Sequence, residues 1–472
     1  MTQRRPIVDA LVKFQKNRPT SFHVPGHKSG LLSELPQEMK SVLLYDMTEL
    51  EGLDDLHAPK DAIREAENLL AHAYGADKSY FLVNGSTAGN LAMIHAACKG
   101  GDRVIVQRNS HQSVFHALEL AKVNPVYVAP EWDETSKSAA AVSVSSVASA
   151  LKDYPDVKAV VLTYPNYYGM GSSGLKAIIE LCHQQNIAVL VDEAHGAHFI
   201  AGAPFPLSAL ALGADAVVQS AHKTLPAMTM GSYLHVQGEL LDEQAIRKYL
   251  RIFQSSSPSY PIMASLDDAR AYVQNYSESD KQTFLEKRRD FVSCLKNISS
   301  LEVVEADDPL KLLLRVKKHG GFQLKEALEK MGIFAELADP FQVLLILPLT
   351  KREHAYPYAE ICSNIEEAVN NVRRQDYVIM NFQTRSNPVT VPELLFHEVT
   401  AAPWEWVPYT QAAGRISAAM VTPYPPGIPL VIAGEKWSLD MVEALAGYLA
   451  SGAEIQGEHL LAQKMVMVTR RE

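Results

Sequence analysis

The stretch Ser220-Ala221-His222-Lys223-Thr224 follows the apolar run Ala216-Val217-Val218, which is typical of a buried strand. The lysine therefore stands where a strand gives way to a loop. When a lysine is partly desolvated its charged form is disfavoured, and its amine can condense with a carbonyl as a Schiff base. The hydroxyls of Ser220 and Thr224 and the ring of His222 could hold a phosphate beside it. From this stretch alone, an ordinary lysine at a strand end is the alternative interpretation.

A second strand signal lies upstream. The run Ile187-Ala188-Val189-Leu190-Val191 leads directly into Asp192-Glu193-Ala194-His195-Gly196. An aspartate at the carboxyl end of a parallel strand lies at the edge where open α/β sheets bind ligands. Pyridoxal phosphate (PLP) needs a lysine for its aldehyde and an acid that keeps its pyridine nitrogen protonated. Asp192 and Lys223, 31 residues apart at successive strand ends, would supply both and together predict a PLP site.

Composition limits the classes of function. The 472 residues are 47% hydrophobic and 21% charged with a net charge of −10, which is ordinary for a soluble enzyme and argues against a nucleic-acid partner. No apolar run reaches membrane-spanning length and the basic start lacks the apolar core of a signal peptide, so no membrane partner is expected. The cysteines lie far apart, show no metal or redox spacing, and fit a reducing cytoplasm. They are Cys98, Cys182, Cys294 and Cys362.

A chain of this length is expected to form two or three domains. From Ser79 it alternates strands with helices as a parallel sheet does, and two long helical stretches then lead into a smaller α+β unit. The polar stretch around Arg385-Ser386-Asn387-Pro388 is typical of a linker. We predict an α/β protein whose large domain has a mostly parallel sheet, with smaller α+β C-terminal domains. The predicted boundaries are 1–40 for an N-terminal segment, 41–275 for the large domain, 276–375 for a small domain and 385–472 for a C-terminal domain.

Further polar loops follow the predicted strands. Asn84-Gly85-Ser86-Thr87-Ala88-Gly89 opens a helix whose N–H groups could bind a phosphate, although on this stretch alone a plain N-cap is favoured. His111 follows the strand Arg103–Gln107 and could stack on a flat aromatic cofactor, whereas a loop histidine more often has no such role. Asn166 lies in the loop after Val157–Thr163. Five polar loops at one sheet edge favour a cofactor site over these separate alternatives.

Two loops near the start carry charge. Pro25-Gly26 forms a turn from which His27 and Lys28 could reach an anion or a partner subunit. Glu49-Leu50-Glu51-Gly52-Leu53-Asp54-Asp55-Leu56-His57 is acidic, and such loops are usually solvated surface. The acidic loop gains a function only if the substrate is a cation.

Six motifs cover nearly the whole chain, from near residue 20 to near residue 435. They are Pro25-Gly26-His27-Lys28, Asp54-Asp55-Leu56-His57, Asn84-Gly85-Ser86-Thr87, Asp192-Glu193-Ala194-His195-Gly196, Ser220-Ala221-His222-Lys223 and Pro423-Tyr424-Pro425-Pro426-Gly427-Ile428-Pro429. Together they resemble the Orn/Lys/Arg decarboxylase family of PLP-dependent fold type I enzymes. The chain is most similar to the short Gram-positive branch, which has no wing domain. The resemblance implies an aspartate-aminotransferase-like large domain.

The resemblance also implies roles for single residues. Lys223 would bind the PLP aldehyde, Asp192 would face the pyridine nitrogen and His111 would stack on the ring. Lys223 or His222 would return a proton to the substrate Cα, and no metal is expected. The implied cofactor-binding residues are Lys223, Asp192, His111, Gly85, Ser86, Thr87, His195, Ser220, His222 and Asn166, with Ser256 and Ser257 reaching the phosphate in a neighbouring subunit. That last role implies a homodimer or a dimer of dimers.

The implied reaction is decarboxylation of a basic amino acid in polyamine biosynthesis. Arginine, giving agmatine, is favoured over lysine, giving cadaverine, and ornithine, giving putrescine, because a planar guanidinium gains most from paired carboxylates. The candidate partners of the distal cation are Glu51, Asp54, Asp55 and Glu405, with Trp404 and Trp406 able to stack on a guanidinium. Surface solvation is the alternative for each of the four acids.

Two other classes of function stay open. Aminotransferases and amino-acid lyases share the fold, and fold alone does not settle the reaction. They usually hold the α-carboxylate with an arginine of the small domain, and Arg385 and Arg415 are the candidates. A catalytically inert binding homologue is the non-enzyme alternative, which the Asp192 and Lys223 pair disfavours.

Overall fold

The structure, a computed structural model, describes residues 4–372, 388–424, 428–457, 459–460 and 463–470. Its helices are α1 (Pro6–Lys16), α2 (Gln37–Leu43), α3 (Ala62–Tyr74), α4 (Gly85–Ala97), α5 (Gln112–Ala121), α6 (Val144–Asp153), α7 (Leu175–His183), α8 (Ala221–Thr224), α9 (Glu243–Phe253), α10 (Tyr260–Gln274), α11 (Glu278–Lys296), α12 (Gly321–Lys330), α13 (Tyr358–Asn370), α14 (Phe396–Ala401) and α15 (Leu439–Ser451).

The strands are numbered in the same way. They are β1 (Lys78–Leu82), β2 (Arg103–Gln107), β3 (Asn124–Val128), β4 (Trp132–Asp133), β5 (Ser138–Ala139), β6 (Val157–Thr163), β7 (Ala188–Asp192), β8 (Ala216–Gln219), β9 (Ser232–Val236), β10 (Leu301–Glu305), β11 (Lys311–Val316), β12 (Leu337–Ala338), β13 (Val343–Ile346), β14 (Val389–Thr390), β15 (Trp404–Pro408), β16 (Val421–Tyr424), β17 (Glu454–Gly457), β18 (His459–Leu460) and β19 (Met465–Thr469). Arg385 and most of the predicted linker lie outside the described residues, as do Pro425, Pro426 and Gly427 of the proline-rich motif.

One compact unit consists of the chain up to Cys98 together with Leu175–Ser277. Four strands of the large mixed sheet lie in this unit, in the order β1-β9-β8-β7. β7 and β8 are parallel, with Asp192 opposite Val218, and β9 runs antiparallel to β8 and β1. Every residue of β7, β8 and β9 is buried, as expected for strands covered on both faces. The carboxyl ends of β7 and β8 therefore lie side by side, where the sequence predicted the site.

Helix α4 packs closely against this part of the sheet. A Cβ atom at Gly89 would stand 2.5 Å from Cγ2 of Val218 and 2.8 Å from Cδ1 of Leu82, so only glycine allows the approach. The helix predicted to open after Asn84 is confirmed. Its first turn is thus held near the strand that leads to Lys223.

The other unit combines Lys99–Gly174 with the chain from Glu278 onward. It contains the parallel strands β6, β2 and β3, with β14 antiparallel to β3. Beyond Glu278 follows an antiparallel sheet in the order β10-β11-β13-β12, interleaved along the chain with α12 and preceded by α11. The sheets β15-β19-β18 and β16-β17 come last. The mostly parallel large sheet and the smaller α+β region are confirmed, whereas the predicted domain boundaries stay a prediction.

Two of the cysteines, which show no metal or redox spacing in the sequence, are joined in the structure. Cys294 on α11 and Cys362 on α13 form a disulfide, with their Cα atoms 6.5 Å apart at a sequence separation of 68. Cys98 and Cys182 are buried and lie outside the disulfide. No local pattern indicated the pair, because it results from the packing of two distant helices.

In the part of the chain that the structure describes, no helix combines the length and the apolar character needed to cross a bilayer.

Candidate active site

Asp192 is the last residue of β7, and two hydrogen bonds fix its carboxylate. Its Oδ2 accepts from Nδ2 of Asn90 at 2.9 Å, and its Oδ1 accepts from the backbone N–H of Ala194 at 3.1 Å. Asp192 is 3% exposed, and Asn90, on the second turn of α4, is 1% exposed. A buried carboxylate with such partners keeps one direction, which suits a charge that must face one atom of a ligand.

Lys223 lies on the short helix α8, just after β8. Its Nζ is 3.2 Å from Nε2 of His195, and His195 is itself buried in the loop after β7. The backbone N–H of Lys223 donates to the carbonyl of Ser220 at 3.1 Å, which closes the turn. The two strand ends that the sequence paired therefore meet through these side chains. An amine at hydrogen-bond distance from an imidazole can exchange a proton with it.

Three hydroxyls gather at the first turn of α4. Oγ of Ser86 lies 2.7 Å from Oγ of Ser220 and donates to Oγ of Ser232 at 3.2 Å. Asn84, at the N-cap, makes no side-chain capping bond, because its Oδ1 accepts from the N–H of Ser255 at 3.1 Å. The stretch therefore supplies the N-cap residue of α4, but without a side-chain capping bond. Hydroxyls beside the N-terminus of a helix suit an anion.

Thr87 and His222 were also predicted to bind the phosphate. Thr87 is exposed. His222 is half-buried, and its ring donates from Nδ1 to the carbonyl of Gly231 at 2.9 Å. That bond fixes the orientation of the ring and makes Nε2 the acceptor nitrogen of a neutral imidazole.

The side chains at these strand ends fit PLP. A carboxylate, a lysine and hydroxyls at a helix N-terminus match its pyridine nitrogen, its aldehyde and its phosphate in charge and in hydrogen-bonding type. Asp192, Lys223 and Ser86 would hold these three groups. Within the described ranges, no group of three or more His, Cys, Asp or Glu side chains could hold a metal ion.

The two predicted residues of the other unit are tied into their own loops. His111 is the N-cap of α5, where its Nδ1 accepts from the N–H of Ser113 at 3.2 Å. Asn166 is buried, and its Nδ2 donates to the carbonyl of Ala139 at 2.9 Å while its Oδ1 accepts from the N–H of Met170 at 2.8 Å. These bonds fix the two loops. For both residues, contact with the cofactor stays a prediction.

Asp54 caps helix α3. Its carboxylate oxygens accept from the backbone N–H groups of Asp55, Lys60, Asp61, Ile63 and Arg64, at 2.8–3.3 Å. Burial acts to raise the pKa of Asp54, but the backbone hydrogen bonds, with that from Lys60 the strongest, lower it below its ordinary value. We therefore assign Asp54 to the start of α3 rather than to a substrate cation.

The rest of the acidic loop is bonded to the serine-rich segment 255–258. Oδ1 of Asp55 accepts from the N–H of His57 at 2.8 Å, and the ring of His57 donates from Nε2 to the carbonyl of Ser255 at 2.8 Å. The loop therefore supports the serine segment, a link that the sequence did not predict. The exposed predicted residues of this region are Glu51, Ser256 and Ser257.

Glu405 and Arg415 pair with each other. Nη2 of Arg415 lies 2.6 Å from Oε1 of Glu405 and also donates to the carbonyl of Thr469 at 2.7 Å. Arg415 therefore holds C-terminal strands together, and its position does not favour the aminotransferase alternative. Trp404 and Trp406 pack edge to face, with ring centroids 6.0 Å apart. A substrate role for Glu405 and the two tryptophans stays a prediction.

Two residues that contact the predicted set, Asn90 and Ser232, were not predicted from the sequence. Asn90 lies four residues after Ser86 and so on the same face of α4, and this spacing was the available signal. Ser232 begins β9, and nothing in its local sequence marks it as different from an ordinary strand residue.

Comparisons with known proteins agree with this geometry. The Orn/Lys/Arg decarboxylase major domain matches residues 5–312, and the C-terminal domain of the same family matches residues 376–458. The uncharacterized protein YaaO of Bacillus subtilis (strain 168) is 44% identical over 98% of this chain and 98% of its own length. An arginine decarboxylase of the same organism is 31% identical over 99% of this chain and 98% of its own length.

A solved structure shows the same fold. The lysine decarboxylase LdcF of Francisella novicida superposes with a TM-score of 0.79 at 19% identity, covering 99% of this chain and 81% of that one. The family match covers more than half of the chain, from residue 5 to residue 312 in its first part alone. The chain therefore belongs to the Orn/Lys/Arg decarboxylase family and is a PLP-dependent amino-acid decarboxylase of fold type I.

Proposed function

We propose that this protein decarboxylates a basic amino acid in the cytoplasm, with arginine first and lysine and ornithine next, using PLP held by Lys223. The observation that carries the proposal is the adjacency of Asp192 and the Lys223 loop at parallel strand ends, with His195 3.2 Å from the lysine amine. The arginine decarboxylase of Bacillus subtilis, 31% identical over almost the whole chain, supports arginine as the first choice.

PLP, when bound, supplies a sink for the electrons that remain when CO2 leaves. The residues of the chain do the rest. Lys223 provides the amine for the aldehyde, and Asp192, held by Asn90, places a negative charge against the pyridine nitrogen. Nε2 of His195 holds or releases a proton at the lysine amine. Lys223 or His222 then returns a proton to Cα of the product.

We assign the phosphate to the hydroxyl cluster of Ser86, Ser220 and Ser232. These side chains lie at the N-terminus of α4, a helix of 13 residues that begins at Gly85 and directs its positive end toward them. Ser256 and Ser257, which are exposed, would complete the phosphate site of a second subunit.

We propose a homodimer, alone or paired as a dimer of dimers, as the active unit. Segment 22–45 exposes large apolar side chains, and α2 within it has no buried residue. The exposed side chains are Phe22, Val24, Leu31, Leu32, Leu35, Met39, Val42, Leu44 and Tyr45. Their burial against a second copy would contribute roughly 25 cal/mol per Å² of apolar surface. A two-fold axis is the commonest way to cover such a surface in a homo-oligomer.

Among the predicted acids, we propose Glu51 as the partner of the distal cation. Asp54 is used in capping α3, Asp55 accepts from the backbone, and Glu405 pairs with Arg415. Glu51 is exposed in one subunit. A desolvated guanidinium without a carboxylate partner would be costly, so an acid at this place would decide between charged and neutral substrates.

The substrate test is CO2 release by the holoenzyme from arginine, lysine, ornithine and norleucine. Norleucine keeps an unbranched side chain but lacks the cation. We expect arginine to react fastest and norleucine to fall behind by about two orders of magnitude or more. Glu51→Gln should raise the KM for arginine, while Glu49→Gln, a matched exposed acid in the same loop, should not. Equal rates on norleucine would contradict a cationic substrate.

Two further experiments test the cofactor and the dimer. Borohydride reduction and peptide mapping should locate PLP on Lys223, and Lys223→Ala should abolish turnover in a folded protein. A label on another lysine would contradict the assignment. Mixing inactive Lys223→Ala chains with a Ser256→Ala/Ser257→Ala variant should restore part of the activity. An active monomer in sedimentation would rule out the shared site.

A further inference from the structure

A buried carboxylate that the proposed reaction does not use lies directly beside Asp192. Glu193 is 0% exposed. Its Oε1 accepts from the N–H of Ala209 at 2.6 Å, and its Oε2 accepts from the hydroxyl of Ser208 at 2.7 Å and from Nε2 of Gln219 at 2.5 Å. Three donors on one carboxylate offset part of the cost of its removal from water. Among these donors Gln219 matters most for the site. It lies on β8, the strand that leads to Lys223, whereas Glu193 follows β7.

Gln219 is the last residue of β8, fully buried, and the chain leads from it to Lys223. Its Oε1 lies 3.2 Å from Nε2 of His235, and Nδ1 of His235 lies 2.7 Å from Oγ of Ser79. Burial lowers the pKa of His235 to about 3, so the ring is neutral and has one donor and one acceptor nitrogen.

The hydrogen bonds therefore run in one direction. The hydroxyl of Ser79 donates to Nδ1 of His235, Nε2–H of His235 donates to Oε1 of Gln219, and Nε2 of Gln219 donates to Glu193. Bonds aligned in this way strengthen one another in a medium of low polarity. The chain fixes the orientation of the Gln219 amide, so that its N–H always faces the carboxylate.

The loop that carries His195 rests on Glu193. A Cβ atom at Gly196 would stand 2.6 Å from Cγ of Glu193, which shows how closely the turn packs on that side chain. The N–H of Gly196 donates to the carbonyl of Glu193 at 2.9 Å, and the N–H of Ser220 donates to the carbonyl of Ala194 at 3.2 Å. The loop is thus supported by Glu193 and bonded to the segment that leads to Lys223.

We propose that the hydrogen bond between Glu193 and Gln219 is a positioning link between the ends of β7 and β8. It keeps Asp192 and His195 on one strand end at a constant distance from Lys223 on the other. Glu193 and Gln219 are positioning residues, since they act through their neighbours in the chain. The inference rests on the roles proposed above for Asp192 and Lys223. The link requires a donor opposite an acceptor, whichever strand carries the acid.

The test exchanges the two side chains. In the double variant Glu193→Gln/Gln219→Glu, the amide at 193 still accepts from Ala209 and now donates to the carboxylate at 219, which in turn still accepts from His235. The hydrogen bonds between residues 193, 219 and 235 are kept, whereas the hydroxyl of Ser208, which donates to Glu193 in the parent, would accept from the new amide instead. Gln219→Met has nearly the same shape but leaves Glu193 and His235 without this partner. Gln237→Met is the matched control, because the amide of Gln237 donates to the carbonyls of Leu210 and Ala214 beyond the opposite end of β8.

Three quantities are measured for each variant. They are kcat with the holoenzyme, the rate at which apoprotein captures PLP on Lys223 as trapped by borohydride, and the thermal midpoint of the apoprotein. We expect Gln219→Met to lower kcat and the capture rate by about tenfold or more, and the exchanged pair to stay within about threefold of the parent. Gln237→Met should lower the midpoint but keep both rates within about twofold.

The inference is overturned if Gln219→Met keeps both rates, if Gln237→Met loses them equally, or if the folded exchanged pair is as slow as Gln219→Met. Should Gln219→Met fail to fold, the exchanged pair decides alone, since retained rates support the link and a tenfold loss refutes it. Failure of the proposed function is distinct from these outcomes. It would appear as turnover in Lys223→Ala or as trapped PLP on another lysine of the parent.

Discussion

The side-chain amide of Asn90 donates to the carboxylate of Asp192 at 2.9 Å, and both residues are almost completely buried. The bond joins the second turn of α4 to the end of β7. The same helix presents Ser86 one turn earlier, so one rigid element positions both the proposed phosphate site and the acid proposed to face the pyridine nitrogen. A hydrogen bond to a buried charge is among the stronger ones in proteins.

Asn90→Ala should therefore lower kcat by about tenfold or more while PLP stays bound, since one charged hydrogen bond contributes about 1.5–3 kcal/mol. Steady-state rates and the visible absorption of the variant check this expectation. Asn68→Ala is the matched control, because it removes the same side chain from an exposed position on α3. It should leave kcat unchanged. An Asn90→Ala rate equal to that of the parent would separate Asn90 from the site.

Asp192→Asn should lower kcat more than Asn90→Ala does. A neutral amide cannot keep the pyridine nitrogen protonated, so we expect a loss of about two orders of magnitude or beyond. The variant should still capture PLP on Lys223, because the aldehyde and the phosphate keep their partners. Rates and borohydride trapping, measured on the same preparation, separate the two effects. Near-parent turnover with Asn at 192 would show that the carboxylate has another role.

Asp54→Asn should lower stability rather than change substrate preference. Five backbone N–H groups donate to the Asp54 carboxylate, and an amide at this place brings its own N–H groups against them. Because the pKa of Asp54 is lowered in the folded state, its contribution is present at neutral pH and is lost as the pH falls through the folded pKa. The thermal midpoints of variant and parent should therefore differ at pH 7 and converge in acid. An unchanged midpoint with a raised KM for arginine would restore the substrate role.

The strand ends could be predicted from the sequence because a buried parallel strand is a continuous apolar run. Asp192 and the Lys223 segment follow such runs directly, and their positions are confirmed. The chemistry expected of them required only that both runs belong to one sheet. The partners of these residues were harder to predict, since Asn90 and Ser232 are single polar residues in elements whose local sequence is ordinary.

Asp54 shows why the roles of other candidate-site residues could not be predicted from the sequence. Its acidic neighbours left surface solvation and a substrate role open. The role of Asp54 depends instead on a left-handed backbone at φ +72° and on N–H groups up to ten residues further along the chain. Neither the amino-acid composition nor the periodicity of the sequence predicts that geometry. The disulfide was missed for a related reason, because its two cysteines approach only when α11 packs beside α13.

The disulfide gives a direct chemical prediction. Under denaturing conditions without reductant, iodoacetamide should modify only Cys98 and Cys182, and all four cysteines should react after reduction. In the chain-entropy model a closed loop of this size contributes roughly 4 kcal/mol, so reduction should lower the thermal midpoint. Intact mass spectrometry counts the adducts. Four adducts before reduction would show that all four cysteines are thiols and would contradict the disulfide.

The raised pKa of Glu67 predicts how the stability of the folded protein changes with pH. Burial in α3 raises its pKa to about 8, against the opposing charges of Arg64 and Arg247. The unfolded chain has the ordinary, lower value. Between the two values the folded protein holds a proton that the unfolded chain has released. Stability from this residue is therefore full in acid and falls as the pH rises toward 8, by about 1.4 kcal/mol per pH unit.

Glu67→Gln keeps the size and an acceptor oxygen but cannot ionise, so it should remove this part of the pH dependence. Between about pH 5.5 and pH 7.5, the thermal midpoint of the parent should fall relative to that of the variant. Glu119→Gln, an exposed acid on α5, should follow the parent at every pH. Burial also raises the pKa of Glu193, to about 7, so Glu193 changes the stability with pH in the same direction. Because both variants keep Glu193, the difference in thermal midpoint between Glu67→Gln and the parent reports on Glu67 alone. Parallel curves for Glu67→Gln and the parent would mean that Glu67 is already ionised in the folded protein.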